Sequence, residues 1–335
     1  MALLSGSTIT YGVTSAGGLR EDLSDTIFDL FPEDTYLLSN LDKEEANATY
    51  TEWMAQELAA PAANIQLEGD DATFGSLTAP TRYGSFLQIS SKTFLVSDSL
   101  EKVNKAGRRS ELARGAIVKM RELKRDMETR MCQNGISTAG GAGTGRSTAG
   151  IEAWIGGPTA APGSTTANAV ASTSTAATAT TVPVTSGTPG TAITDGTTTA
   201  ALTSAVLNQA LMGAWANGGD PSTILVGAVQ KQAIDGFTGI ATRFVDVDRS
   251  TQASIIGAAN VYVSDYGKHS VILHRYMRSS VVLCLDTSYW AVRYLRKPLK
   301  RELARTGDGT KYQLITEYAL VARNWKANSK VVALA

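Results

Sequence analysis

Residues 108–134 read Arg-Arg-Ser-Glu-Leu-Ala-Arg-Gly-Ala-Ile-Val-Lys-Met-Arg-Glu-Leu-Lys-Arg-Asp-Met-Glu-Thr-Arg-Met-Cys-Gln-Asn. Leu112, Ala116, Met120, Leu123, Met127 and Met131 recur at steps of three and four, which lays one apolar stripe along an α-helix. Gly135 follows and is the natural residue to close the helix in a left-handed C-terminal cap. At ~1.5 Å per residue such a helix is about 40 Å long. It is read as a spine, residues 108–134, on which other elements are laid.

The spine also concentrates charge. Residues 101–130 hold ten basic residues against five acidic ones, a net +5 in a chain of net charge +0. Arg108, Arg109, Arg114, Lys119, Arg121, Lys124 and Arg125 are the candidate binding cations. Two readings stand. Glu122 and Asp126 neutralise Lys119 and Arg130 on a solvated helix face, or the face meets a polyanion or an acidic partner segment.

Working outward, residues 20–57 carry eleven acidic residues against Arg20 and Lys43, a net −9. Residues 1–19 ahead of them are small and polar, as in a mobile arm. Residues 23–31 predict a short helix ended by Pro32, and a second short helix leads to Leu41. The acidic segment either pairs with the spine inside one chain or lies as an arm on a neighbour. Glu21, Asp22 and Asp25 are the arm's candidate contact residues.

Residues 48–96 predict two long strands, marked by alternation at 48–53 and 85–90. They flank an acidic, irregular tip containing Glu68, Asp70 and Asp71. A two-stranded ribbon is marginal alone in water, so a neighbouring subunit is expected beneath it. Ser97-Asp98-Ser99 caps a short helix reaching Lys105, Gly107 breaks it, and Ser110-Glu111 starts the spine.

Residues 135–200 are mainly Gly, Thr, Ala and Ser, with an anchored island at 151–155 and a possible strand at 182–184. A helix is predicted over 201–219, its stripe formed by Leu202, Val206, Leu207, Leu211 and Trp215. Strands are expected at 223–226, 259–263, 271–273 and 281–285, with a helix over 229–237 between them, which makes an α+β unit. Residues 290–295 and 311–323 suit a hairpin turning at Thr306-Gly307-Asp308-Gly309.

Composition bounds the function. At 335 residues the chain holds one to three domains, and 43% apolar content supports a real core. Only 19% of residues are charged, below the roughly 25% of soluble proteins, which favours much surface covered by other chains. Cys132 and Cys284 make no disulfide framework and are expected reduced, as in an intracellular protein. No apolar run spans a membrane and the N-terminus is not a signal peptide.

Catalytic constellations do not emerge. Gly140 to Ser147 mimics a phosphate-binding loop, but Arg146 stands where lysine belongs and the loop follows a helix, so a flexible glycine loop is expected. His269 and His274 point to opposite faces of a strand and make no metal spacing with Cys284. No nucleophile has an obvious base, and neither Asp70–Asp71, adjacent on a loop, nor Asp246–Asp248, on one side of a strand-like run, is read as a catalytic carboxylate pair. Neither an enzyme nor a cofactor or metal site is expected.

The order of elements, however, resembles the major capsid proteins of tailed bacteriophages, the Hong Kong 97-type fold. The carrying stretches are Glu21-Asp22-Leu23-Ser24-Asp25, Glu68-Gly69-Asp70-Asp71-Ala72, Val96-Ser97-Asp98-Ser99 and residues 105–112 and 122–128, then Phe237-Thr238-Gly239 and residues 302–308. The likeness covers about residues 20–155 and 200–325 and departs at the threonine-rich insertion.

The resemblance implies an α+β fold of six parts. They are an N-terminal arm (1–47), an extended β-ribbon loop (48–96), a peripheral domain with the spine (97–150), an insertion (151–199), an axial α+β domain (200–286) and a peripheral return hairpin with the C-terminus (287–335). It implies a homo-oligomer of hexamers and pentamers, in an icosahedral or prolate shell around double-stranded DNA, assembled in the host cytoplasm and carried in the virion. DNA contact would be electrostatic and non-specific. Scaffold, portal and decoration proteins are implied partners, a membrane is not, and no crosslinking pair is assignable. The alternatives are a bacterial nanocompartment shell of the same fold, or an enzyme of unrecognised type.

Overall fold

A computed structural model describes residues 27, 35–59, 61–71, 74–155, 169–171, 187–189, 199–237 and 260–335. The expected arm helix at 23–31, the strand at 182–184, the Asp246–Asp248 pair and most of the insertion lie outside them. The spine is helix α3, Glu111–Cys132. Ser110 caps it as expected, its Oγ accepting from Ala113 N–H at 3.2 Å.

The stripe is buried only over its C-terminal half, at Leu123, Met127 and Met131, while Leu112, Ala116 and Met120 are half-covered. The cap at Gly135 is not formed. The chain leaves the helix extended at Gln133 and folds back so that Arg130 donates to Ile136 O at 2.7 Å and to Thr148 O at 2.8 Å. The Arg130 guanidinium fills the space a Cβ on Gly135 would need. Gly135 thus makes room for a close approach of the Arg130 guanidinium rather than for a left-handed turn.

Helix α3 lies on a four-stranded sheet with order β1-β10-β11-β4. Its strands are β1 (Asp42–Glu45), β4 (Gln88–Val96), β10 (Trp290–Leu303) and β11 (Thr310–Ala322). Phe94 of β4 meets Gly115, where a Cβ would already sit 3.0 Å from the ring. The hairpin β10–β11 turns where expected, but β10 is longer than its apolar run. Register shifts between Tyr294, Arg296 and Leu299 carry it past Pro298, which a regular ladder excludes.

The ribbon is shorter than its alternation suggests. β2 (Tyr50–Ala55) pairs antiparallel with β3 (Thr81–Phe86). The chain then changes sheet at Leu87, a fully buried residue whose N–H donates to Thr49 O at 3.0 Å. Residues 88–96 therefore belong to the hairpin sheet. At the foot of the ribbon the tilted rings of Trp53 and Trp154 lie 5.2 Å apart between centroids and those of Trp154 and Trp325 5.6 Å apart, while Tyr83 meets Trp325 edge-on at 4.4 Å. Trp154 belongs to α4 (Ile151–Ile155), a wholly buried turn.

A second, six-stranded sheet has order β5-β12-β9-β6-β8-β7. It comprises β5 (Ala169–Ala171), β6 (Thr223–Val226), β7 (Val261–Ser264), β8 (Gly267–Leu273), β9 (Val282–Leu285) and β12 (Ser329–Val332). Helix α5 (Ser204–Ala216) packs Leu207, Ala210 and Leu211 against Ile224, Val226 and Val331. Trp215 was expected in that stripe but is 62% exposed, beside Tyr266. β12 carries the C-terminus out of the hairpin region and into this sheet between β5 and β9. A core of Leu225, Leu283, Trp290, Val292, Tyr318 and Met131 joins the two sheets. Burial on this scale is the main stabilising term.

Candidate assembly surfaces

The segment between β2 and β3, residues 56–80, projects from the molecule. Leu58, Ile65, Leu67, Phe74 and Leu77 are 81–98% exposed. Glu57, Glu68, Asp70 and Asp71 are its charged residues, and it contains no Lys or Arg. The tip turns at Gly69 (φ +82°), with Asp70 N–H donating to Leu67 O at 3.2 Å. Glu68, Asp70 and Asp71 all stand in solvent there. Exposed apolar groups in such number mark a contact surface.

The spine's cations are split. Arg108, Arg109, Arg114 and Arg121 line one open groove of about 700 Å³ with Ile117 and Val118. Arg114, Arg121 and Arg125 lie seven and four apart, on one helix face. Arg108 pairs with Glu111, and Lys119 with Glu122 at 2.8 Å. Asp126 pairs with Lys92 of β4 at 2.6 Å rather than with Arg130. Arg130 is turned inward, and burial lowers its pKa. Lys124 is exposed and borders a second groove with Lys43 and Lys297.

The acidic segment does not pair with the spine in its described part. β1 runs parallel to β10. Glu44 accepts from Arg293 at 2.5 Å and from Arg323, Asp42 from Arg323 at 2.9 Å, and Glu45 from Lys297 at 2.7 Å. Burial pushes the Glu44 carboxyl up, but the hydrogen bonds from Arg323 and Arg293 outweigh it and hold the group below its ordinary range. Lys326 pairs with Glu57. Glu21, Asp22 and Asp25 lie outside the described residues.

The glycine loop is an ordered hairpin, not a flexible one. Thr138 bridges Ser147 and Gly141 bridges Thr144, with Gly140 and Gly143 at positive φ. Arg146, in the place of a phosphate-binding lysine, is committed to Glu317 of β11 at 2.6 Å.

One cluster was not legible in the sequence. Glu128 and Cys132 of α3 meet His274, just beyond β8, with every donor atom within 4.8 Å. His274 Nδ1 accepts from Tyr276 N–H at 3.3 Å, so Nε2 carries the proton and donates to Glu128 Oε1 at 2.9 Å. The same carboxylate accepts from Leu37 N–H (2.6 Å) and Leu38 N–H (2.9 Å) of α1 (Tyr36–Asn40).

A nucleophile, base and orienting acid share this arrangement, but all three residues are at most 1% exposed. Burial and Glu128 push the Cys132 thiol well above its ordinary pKa. A metal on Nε2 would require the proton to move to Nδ1, against the Tyr276 N–H. The cluster ties α1, α3 and the six-stranded sheet together. Its sequence signal is only the i, i+4 spacing of Glu128 and Cys132. His269 is separate, bonded to Pro221 O and Ser264 Oγ.

A spine helix laid on a hairpin sheet, a second α+β sheet and a projecting loop define a Hong Kong 97-type shell subunit. The family model described as SU10 major capsid protein matches residues 6–335, and the chain belongs to that family of tailed-phage major capsid proteins, components of the virion capsid. Solved structures carry the same fold at low identity. A structure from Gordonia phage Cozz is 12% identical with a TM-score of 0.59, over 100% of this chain and 97% of that one. The capsid of a native GTA particle is 13% identical with a TM-score of 0.60, over 96% and 99%. The holo-SrpI encapsulin complex of Synechococcus elongatus PCC 7942 is 10% identical with a TM-score of 0.54, over 94% and 92%. No protein with a curated description matches the chain by sequence.

Proposed function

We propose that the chain assembles, as pentamers and hexamers, into an icosahedral or prolate shell that encloses double-stranded DNA. The exposed apolar loop at 56–80 carries this reading, because among the described residues nothing covers Leu58, Ile65, Leu67, Phe74 or Leu77, and a neighbouring subunit supplies the cover. Residues 200–286 form the axial part, residues 97–150 with the hairpin of 287–335 the peripheral part, and residues 48–96 the overlapping loop. The acidic arm, 1–47, adds further contacts. Arg108, Arg109, Arg114, Lys119, Arg121, Lys124 and Arg125 face the packaged DNA, which they bind without base specificity and with strong salt dependence. The role is structural rather than enzymatic. Assembly takes place in the host cytoplasm with scaffold, portal and decoration proteins.

Electron microscopy and light scattering of the purified chain test this. Closed shells, sheets or five- and six-membered rings are expected. A chain that stays monomeric with a scaffold protein supplied overturns the reading. The likeness to an encapsulin favours one second reading, a cage for cargo enzymes, and particles filled with protein instead of DNA would establish it.

A further inference from the structure

Beyond α4, two pieces of the insertion are described, residues 169–171 and 187–189, and both are built into the fold. The first is β5, which pairs parallel with β12 through Ala169 and Lys330, Val170 and Val331, and Ala171 and Val332. The second lies along the ribbon. Gly187 forms a parallel bridge with Tyr83 of β3. Its N–H donates to Arg82 O at 2.9 Å, and its carbonyl accepts from Gly84 N–H at 2.9 Å. Alternate residues of an antiparallel pair turn these groups away from the partner strand, so Gly187 takes the outward groups that β2 leaves free. Pro189 is buried, and its carbonyl accepts from Ser137 N–H at 2.8 Å. Ser137 Oγ in turn accepts from Phe86 N–H at 3.0 Å, at the end of β3. The chain then returns beside the end of β12 at Ala200. Its N–H donates to Ala333 O at 3.2 Å and its carbonyl accepts from Ala335 N–H at 3.0 Å.

We infer that the insertion is a strap that sets the angle of the ribbon against the six-stranded sheet before a second copy of the chain arrives. A ribbon of two six-residue strands is marginal in water. Gly187 adds a third strand at its foot, on the edge opposite β2. Tyr83 is held at that same point by its ring, edge-on to Trp325. The strap is fastened to the six-stranded sheet on either side of this contact, at 169–171 and at Ala200, so the ribbon cannot swing without breaking main-chain bonds. Main-chain bonds depend on backbone conformation and not on large side chains, which suits a stretch of Gly, Thr, Ala and Ser. Gly187 itself sits at φ +77°, where glycine is favoured. An element fixed in advance loses less freedom when a partner binds, so the strap favours association. The inference takes from the proposed function only that residues 56–80 meet a second copy.

Amide hydrogen exchange of the unassembled full chain tests the strap without mutation. Gly84 N–H is the reporter, because Gly187 O is its acceptor. It is expected to exchange at least about tenfold more slowly than in a free chain. Two variants then separate the strap from the fold. Gly187→Pro removes the N–H and cannot hold φ +77°. Gly187→Asn keeps the N–H, tolerates that φ, and has open space around its Cβ. The proline variant is expected to lose the Gly84 protection and to form shells several-fold more slowly, with its thermal midpoint unchanged. The asparagine variant is expected to match the parent in both. An unprotected Gly84 amide in the parent would overturn the strap, whether or not the proline variant folds. Lost protection with a parental assembly rate would overturn its action on the ribbon. If the parent does not assemble even with a scaffold protein, the reading of residues 56–80 fails, and the Gly84 amide still decides whether the strap exists.

Discussion

The loop at 56–80 and the Glu128 cluster invert the usual distribution of side chains in opposite senses. The loop holds large apolar groups in water; the cluster holds a carboxylate, an imidazole and a thiol out of it. Each is explained by what lies across from it. Glu128 meets three donors inside the chain, at Leu37, Leu38 and His274, so its polarity is matched locally. Apart from the Glu57–Lys326 pair at its root, the loop leaves Leu58, Ile65, Leu67, Phe74 and Leu77 in solvent, uncovered by any described residue of the chain, and in the proposed shell another chain matches them. The subunit thus keeps directional bonds for its own fold and exposes non-directional surface for association.

Replacing residues 58–77 by a short Gly-Ser linker separates the two most sharply. Shell yield, measured by sedimentation, is expected to fall to background, while the subunit's thermal midpoint moves little. A large fall in the midpoint would show the loop to be part of the fold. Glu128→Ala is the converse. It strands two buried N–H groups and His274, and about 3 kcal/mol or more is expected to be lost in denaturant unfolding of the unassembled subunit. A loss under 1 kcal/mol would remove the tie from the account.

A smaller effect is expected from Arg146→Ala. Glu317 keeps Arg296 at 2.8 Å, so about 1–2 kcal/mol is lost, with protease cleavage rising at the glycine hairpin first. The smallest effect is a pH dependence. Because Glu44 is held below its ordinary range, its contribution is complete above the unfolded value of about 4.3. It disappears as pH falls through the lower folded value. Glu44→Gln is therefore expected to be less stable than the parent at pH 7 and indistinguishable from it at the acid end. A stability gap that persists in acid would mean that packing, not charge, holds β1.

Much of this contrast was legible in the chain, and the failures have specific causes. The period of α3, the Ser110 cap and the hairpin turn follow from local rules that need no partner. β1 was invisible because Asp42-Lys43-Glu44-Glu45 has no strand propensity; it is an edge strand secured by arginines 249 and 281 residues away. Gly135 was misread because the space it leaves is filled by Arg130, a tertiary fact. The Glu128 cluster is likewise assembled from α3 and a residue 146 positions on. Local pattern cannot report a polar group whose partners arrive from other elements. The acid-rich loop was legible as a projection because, among the described residues, nothing covers its apolar side chains to override its composition.

The close-packed indoles at the ribbon's foot have an optical consequence. Trp53 belongs to the strand that leads into the loop, while Trp154 and Trp325 are fixed in the core, with neighbouring rings 5.2 and 5.6 Å apart. Emission from closely packed indoles depends on their mutual orientation. A pull on the loop by a neighbour is therefore written into the subunit's intrinsic fluorescence, giving a label-free clock for assembly.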